Sequence, residues 1–391
     1  MSEPLFNFHD TILIATICLS GLFVVLILFA RHERHYSDYS LAGFFLAQAA
    51  ISLHVLINYG AAFRDTALAA SPDLFYFFGI AFWLEGPLLF LYTRSLLYRN
   101  YTFKRSYSVY FLPSLAYIIY VSIIFYSLSF GDKIAHIETI KGMDAPSTQH
   151  FIEAIRESLR VFFGVLCILD IRKAQTNIRD RFSNIDKINL SWLTVLVISF
   201  VAVRVWILFI VFLSIGLPKI SDPVFDALGL AGNYLSFALV AMMMFYSLRS
   251  SPFVIGHVVK DNEAVEGFAA DPALKLKIET YMSEQKPYLH HLLNLDQLSS
   301  GLEMNPRALS AVIKHSFQTN FYEFVNSYRI DEAKSILDDP REIDKTMIEI
   351  AGECGFNSKA TYNTFFKKLA GCTPTEYRKK SLKKGKVANG K

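Results

Sequence analysis

The chain has 391 residues, of which 52% are hydrophobic and 19% are charged, and its formal net charge is +4. Charged residues make up about 25% of an average soluble protein, so this chain is unusually apolar. Its four cysteines show no metal-binding or redox spacing, and we expect them to be reduced. Composition therefore excludes a disordered chain, a disulfide-stapled secreted protein and a wholly soluble globule.

Seven apolar segments before residue 249 are long enough to cross a membrane, which takes about 20 residues. These segments are 11–30, 39–60, 74–98, 107–130, 151–171, 190–215 and 224–248. The fifth is the weakest, because it carries Glu153, Arg156, Glu157 and Arg160. The pattern predicts a seven-helix transmembrane bundle over residues 1–248, in a multi-pass protein of the inner (cytoplasmic) membrane.

Lysine and arginine are unevenly distributed over the connections between these segments. The connections 31–38, 99–106 and 172–189 carry ten of them, whereas the connections on the opposite side carry four. Positively charged short loops stay in the cytoplasm. We therefore expect the N-terminus outside and, after seven crossings, the C-terminal domain in the cytoplasm.

The chain changes character after residue 248. Residues 249–271 are polar and interrupted by Gly and Pro, which predicts a linker. Residues 272–391 hold 19 basic and 14 acidic side chains, and a basic excess is typical of proteins that bind nucleic acid or an anionic membrane surface. Helical periodicity marks a domain over 272–380, followed by a basic tail, 381–391, that we expect to be disordered. No alternating strand pattern occurs in the sequence, so the predicted fold class is all-α.

An internal repeat lies inside this C-terminal domain. Apolar or small residues at the spacing of one helix face recur 52 residues apart. The two sets are Leu295, Leu298, Ser299 and Leu302, and Met347, Ile350, Ala351 and Cys354. Each set leads into a short turn and another helical pattern, with Asn305 and Pro306 suited to start the second helix of the first unit. Two such units predict a tandem helix-turn-helix, whose second helices fit successive turns of a major groove, about 34–36 Å apart.

The second unit carries a specific motif. Its residues are Met347-x-x-Ile350-Ala351-x-x-Cys354-Gly355-Phe356-Asn357-Ser358, then Phe366-Lys367-Lys368, Gly371, Thr373-Pro374 and Glu376-Tyr377-Arg378. This run resembles the C-terminal signature of AraC/XylS-type transcription regulators, and the resemblance covers residues 275–380. The apolar front half resembles, by architecture and not by motif, the subgroup in which a membrane domain replaces the soluble sugar-binding domain.

The resemblance implies DNA contacts at the outer positions of both recognition helices. These positions are Arg307, Ser310, Ala311 and Lys314 in the first helix, and Lys359, Ala360, Thr361, Asn363 and Thr364 in the second. Ala311 and Thr364 stand where the family commonly has Arg or Lys. Glu303 replaces the turn glycine of the first unit, at a cost of about 1–2 kcal/mol if its backbone is left-handed. Each position also has the alternative interpretation of a solvated surface residue.

Charged residues inside the predicted bundle are candidates for a signal site, because ionisable groups in a membrane are costly and face the bundle interior. The candidates are Glu85, Arg204, Glu153, Arg156, Glu157 and Arg160. Glu85 and Arg204 each lie near the middle of a segment and predict a buried pair, which either responds to a ligand or holds the bundle together. The other four form a polar face that either lines an outward pocket or consists of mutual ion pairs.

Two functions remain open at this point. The first is a membrane-tethered, sequence-specific DNA-binding transcription regulator whose bundle senses a small-molecule or envelope signal. Its partners would be double-stranded DNA and membrane lipid, with a homodimer and a contact to RNA polymerase left open. The second is a membrane receptor or transporter-like protein whose helical C-terminal domain docks a protein partner. The tandem repeat with its signature favours the first.

Enzymatic functions are not indicated. The sequence contains no Gly-x-Ser-x-Gly elbow and no complete P-loop, and its one His-Glu-Arg-His run is a residue short of the zinc-protease spacing. We therefore expect no enzyme, no catalytic residues, no cofactor and no metal.

Overall fold

The computed structural model describes residues 7–30, 35–98, 101–139, 147–186, 188, 190–216, 222–249 and 272–388. Within these ranges every regular element is helical, and an isolated bridge joins Phe182 and Asn294. The predicted all-α fold class is therefore confirmed. The predicted linker lies outside the described residues except for Arg249.

The chain divides into two compact units. The first consists of Met1–Arg172 and Leu190–His257, and the second of Lys173–Asn189 and Val258–Lys391. This division differs from the boundaries that hydropathy predicts, because the connection 173–189 lies between two apolar segments in the sequence but belongs to the second unit.

Long helices make up the first unit. In its described residues they are α1 (Phe8–Val25), α2 (Tyr36–Tyr59), α3 (Ala61–Ala70), α4 (Leu74–Phe77), α5 (Ala81–Leu97), α6 (Leu112–Val121), α7 (Phe130–Thr139), α8 (Ser147–Arg179, which continues into the second unit), α9 (Ser191–Gly216) and α10 (Asp222–Arg249). Short 3-10 segments precede α5 and α6, and π-helical turns, Leu26–Ala30 and Ser122–Tyr126, extend α1 and α6.

Six helical segments in the described part of the chain are long and apolar enough to cross a membrane. They are Phe8–Phe29, Tyr36–Tyr59, Leu74–Leu97, Arg105–Tyr126, Ser191–Ile215 and Ala227–Ser247. The predicted fifth segment, 151–171, is not among them, so its crossing of the membrane stays a prediction. Its charged residues lower the hydropathy of α8, which nevertheless has 33 residues, or about 50 Å at 1.5 Å per residue.

Large apolar side chains cover the outer surface of the first unit. Phe29, Leu46, Phe77, Ile123 and Phe212 are all more than half exposed. The charged side chains of Glu85, Arg160 and Arg204 are instead buried in the interior of this unit. This distribution is typical of a helical bundle surrounded by lipid.

Shorter helices form the described part of the second unit beyond the connection. They are α11 (Pro272–Gln285), α12 (Leu295–Gly301), α13 (Pro306–Ser316), α14 (Phe321–Asp338), α15 (Met347–Glu353), α16 (Lys359–Ala370) and α17 (Pro374–Ala388). Helix α17 continues to Ala388. The expectation that the tail is disordered from residue 381 onward is therefore wrong for residues 381–388.

Helix α14 belongs to two hydrophobic cores. Phe321 and Val325 in its first half pack with residues of α11, α12 and α13. Ile330 and Leu337 in its second half pack with residues of α15 and α16 and with Tyr377 of α17. The two helix-turn-helix units are therefore joined by one continuous helix.

Candidate nucleic-acid interface and buried charge cluster

The two helix-turn-helix units start with the same capping chemistry. Asn294 caps α12 and Thr346 caps α15. Each side-chain oxygen accepts a hydrogen bond from the backbone N–H three residues later, where Gln297 or Glu349 returns the bond to the cap residue. Such a capping box satisfies N–H groups that a helix start leaves unpaired. The two capping boxes are 52 residues apart, which is the same distance that separates the two sets of apolar residues.

The turns inside the two units also match. Met304 N–H donates to the carbonyl of Ser299 at 2.9 Å, and the equivalent bond in the second unit measures 2.8 Å. Glu303 has φ 53° and Gly355 has φ 84°, so the strain of about 1–2 kcal/mol expected at Glu303 applies. At Gly355 an added Cβ would lie 2.7 Å from the carbonyl oxygen of Tyr288, which excludes any side chain there.

Both recognition helices present one buried and one outward face. Asn305 caps α13 and Ser358 caps α16 through their side-chain oxygens. The buried faces consist of Leu309, Val312 and Ile313 on α13, and Tyr362, Phe365 and Phe366 on α16. The predicted DNA contacts occupy the remaining positions of the same two helices.

Most of the predicted contact residues are exposed. The exposed ones are Arg307, Lys314, Lys359, Ala360, Asn363 and Thr364, and the half-buried ones are Ser310, Ala311 and Thr361. The hydroxyl of Thr364 donates to the carbonyl of Ala360 at 2.8 Å, within its own helix. The hydroxyl of Thr361 donates to the carboxylate of Asp186 at 2.7 Å. Three of the exposed residues, Arg307, Lys314 and Lys359, are cations suited to a phosphate backbone, while the contacts themselves stay a prediction.

Two polar residues of α14 are buried between the two cores. Asn326 and Arg329 are at most 1% exposed. Arg329 donates to the carbonyl oxygens of Tyr288 at 2.7 Å and His290 at 3.0 Å, and it also contacts Ser183. Burial lowers the pKa of Arg329 to about 10, so the guanidinium stays charged at neutral pH and depends on these acceptors. The sequence pattern did not single out either residue, because nothing local marks a polar position on a connecting helix as buried.

The candidate signal residues of the first unit form one buried cluster. Glu85 accepts from Arg160 Nε at 2.6 Å and from Arg204 Nη2 at 2.8 Å, so the predicted contact between Glu85 and Arg204 is confirmed. Arg160 also contacts Glu157 at 2.7 Å, and Glu157 accepts from Arg156 at 3.0 Å. Four of these five side chains are 0–2% exposed.

The cluster extends beyond the charges that the sequence indicated. Gln48 of α2 donates to Glu85, and a neutral amide in an apolar segment gives no charge signal that would have predicted this. Glu153 lies at the margin, where Gln149 donates to its carboxylate at 3.3 Å. The pairing of Arg160 with Glu85 was also not predicted, since the two residues are 75 positions apart.

Known proteins resemble the C-terminal part of the chain. A family model described as a helix-turn-helix domain matches residues 298–380. The uncharacterized HTH-type transcriptional regulator YtdP of Bacillus subtilis is 37% identical over 86 residues, which are 22% of this chain and 11% of that protein. The melibiose operon regulatory protein of Escherichia coli is 24% identical over 98 residues, which are 25% of this chain and 32% of that protein. No solved structure matches the chain.

These matches concern a domain, because the chain spans only 11% to 32% of the length of these two curated relatives. The matched residues run from α12 into α17 and contain both recognition helices. Both relatives are named as regulators, one of transcription and one of the melibiose operon. The C-terminal region is therefore a helix-turn-helix domain of the AraC type, the kind found in DNA-binding transcription regulators.

Proposed function

We propose that the chain is a membrane-tethered, sequence-specific DNA-binding transcription regulator whose transmembrane bundle senses a signal. The observation that carries this proposal is the presence, in one chain, of an AraC-type domain with two outward recognition faces and six helices apolar enough to span a membrane. The alternative, a receptor whose helical domain docks a protein, needs no basic outer positions on both recognition helices. Lipid is the partner that suits the exposed apolar surface of the first unit.

Binding of duplex DNA by the full-length protein tests this function. In lipid nanodiscs, the protein is expected to bind a duplex enriched from a random library, with an affinity that falls steeply as salt rises. Each phosphate contact contributes a slope of about −0.9 to the dependence of log K on log salt. Fluorescence anisotropy at several salt concentrations measures it. Binding that is absent or independent of salt, in the wild type and in all variants described below, would favour the protein-docking alternative.

We also propose that α8 crosses the membrane and brings the number of spans to seven. Its charged residues Glu157 and Arg160 are buried and ion-paired. Between residues 151 and 171 its exposed large side chains are apolar, namely Phe151, Ile155, Phe162, Val165 and Leu169. A helix with paired charges facing inward and apolar side chains facing outward suits hydrocarbon although its average hydropathy is low. Seven crossings would place the N-terminus outside and the DNA-binding domain in the cytoplasm of the cell.

Reporter fusions on either side of α8 test this topology. Alkaline phosphatase fused after residue 146 is expected to be active, and the same enzyme fused after Asp180 or Lys391 is expected to be inactive. A fluorescent protein at the latter two positions should be bright. Equal phosphatase activity at residue 146 and Asp180 would show that α8 does not cross, and an active fusion at Lys391 would leave the domain out of reach of DNA.

For sensing, we propose the buried cluster around Glu85. This carboxylate is shared by Arg160 of α8 and Arg204 of α9, and these are the two helices that the connection 173–189 joins. The Nε of Arg204 has no hydrogen-bond partner among the described residues. A ligand that supplies an acceptor, or competes for Glu85, would favour one arrangement of α8 and α9 over another by its differential affinity.

A further inference from the structure

The connection between α8 and α9 is paired with the DNA-binding domain through its backbone. Leu295 N–H donates to the carbonyl of Arg181 at 2.9 Å, and Ser183 N–H donates to the carbonyl of Leu293 at 3.2 Å. These bonds form the isolated antiparallel bridge at Phe182. The connection therefore forms a short extended segment that pairs with residues 293–295 at the start of α12.

Ser183 anchors this segment in the domain. It is 1% exposed, and its carbonyl accepts from Asn326 at 3.2 Å and from Arg329 at 3.3 Å. Its hydroxyl oxygen accepts from Arg329 at 3.2 Å and donates to the carbonyl of Leu293 at 2.5 Å. A buried guanidinium needs such acceptors, so the docked position of the segment is stabilised at the centre of the domain, between its two cores.

Two carboxylates of the segment lie next to the two recognition helices. Asp186 accepts from the hydroxyl of Thr361 on α16 at 2.7 Å. Asp180 lies within electrostatic reach of Lys314 on α13. Burial raises the pKa of Asp180, while Lys314 and Arg181 act in the opposite direction. Thr361 and Lys314 are both predicted DNA contacts, so each recognition helix has one acidic neighbour from the same segment.

A DNA phosphate that approaches the hydroxyl of Thr361 meets the carboxylate of Asp186. The hydroxyl of Thr361 already donates a hydrogen bond to Asp186, and Asp180 adds a second acidic group within electrostatic reach of Lys314. Like charges at short range repel each other, and binding of DNA would have to displace the carboxylates or bear that repulsion.

We propose that residues 180–186, here called the acidic strap, hold the regulator in a state of low DNA affinity, because Asp186 occupies the hydroxyl of Thr361 on α16 and the strap places acidic side chains beside the DNA-binding surface. The inference rests on the proposed function, because the DNA contacts at Lys314 and Thr361 come from it. The strap continues at either end into α8 and α9, which carry Arg160 and Arg204. A rearrangement of these helices therefore reaches the strap through the chain itself.

Neutralising the strap in the full-length protein tests the inference. Asp180→Asn combined with Asp186→Asn is expected to tighten binding to the library-selected duplex about tenfold in nanodiscs, since the charge-assisted contact with Thr361 and the negative charge near Lys314 are both lost. The matched control, Glu279→Gln combined with Glu284→Gln on α11, removes the same charge from a helix where Glu279 pairs with Lys275 and not with a predicted DNA contact. Equal affinity of the strap variant and the wild type, or an equal gain in the control, would overturn the strap while leaving DNA binding intact.

A cross-link that holds the strap against α16 tests the state of low DNA affinity. Asp186→Cys combined with Thr361→Cys places two thiols where the side-chain oxygens are 2.7 Å apart. Oxidation is expected to weaken DNA binding at least about tenfold, and a reductant should restore it. A protein that binds equally well with the strap cross-linked would contradict the proposal. Failure of the wild type and of both strap variants to bind any duplex would instead contradict the proposed function.

Discussion

Glu85→Gln is expected to destabilise the first unit by about 3–5 kcal/mol, or to fix the regulator in one state, because it leaves two buried guanidiniums without the carboxylate they share. Arg204→Gln should cost less, since Glu85 keeps its contact with Arg160. In the double variant, Glu157 and Arg160 still neutralise each other. The double variant should therefore recover part of the loss caused by Glu85→Gln.

A double-mutant cycle measures this coupling. Thermal unfolding of the full-length protein in nanodiscs reports stability, and promoter output at matched protein abundance reports signalling. Asp73→Asn is the matched control, because Asp73 pairs with Lys133 outside the cluster and is half exposed. Additive single effects would show that Glu85 and Arg204 do not interact energetically. Unchanged promoter output in all variants would remove the cluster from the signalling proposal.

Arg307→Ala is expected to weaken binding to the selected duplex by about 1–3 kcal/mol and to relax specificity at one base pair, if Arg307 reads a base edge. Its exposed position in the first turn of α13 suits such a contact. The loss of affinity should be visible in anisotropy titrations. The relaxed specificity should be visible when the library selection is repeated with the variant.

The control for this prediction is Arg341→Ala. Arg341 is equally basic and highly exposed, but it pairs with Asp339 in the turn after α14 and lies on neither recognition helix. It should leave affinity and specificity unchanged. If Arg307→Ala weakens all sequences alike and lowers the salt slope by about one contact, Arg307 binds a phosphate. If it changes nothing, the surface that we assign to the groove is wrong.

The sequence by itself determined the features that depend on local patterns. Helical periodicity and the absence of strand alternation predicted the all-α class, and the recurrence at 52 residues predicted two helix-turn-helix units. Caps, turns and apolar faces involve residues within one or two helical turns of each other. The residue types that they require therefore occur at fixed spacings within a short stretch of sequence. The left-handed backbone at Glu303 was predictable for the same reason.

Only the tertiary structure decided which distant residues meet. Glu157 and Arg160 lower the hydropathy of the predicted span 151–171. In the folded first unit they form an ion pair, and Arg160 has a second partner in Glu85. The connection 173–189 reads as a short loop between two apolar segments, yet its Ser183 contacts Asn326, which is 143 residues away. Such contacts join residues that no local sequence pattern distinguishes from their neighbours. Their energy comes from burial and from mutual hydrogen bonding, and neither exists until the chain has folded.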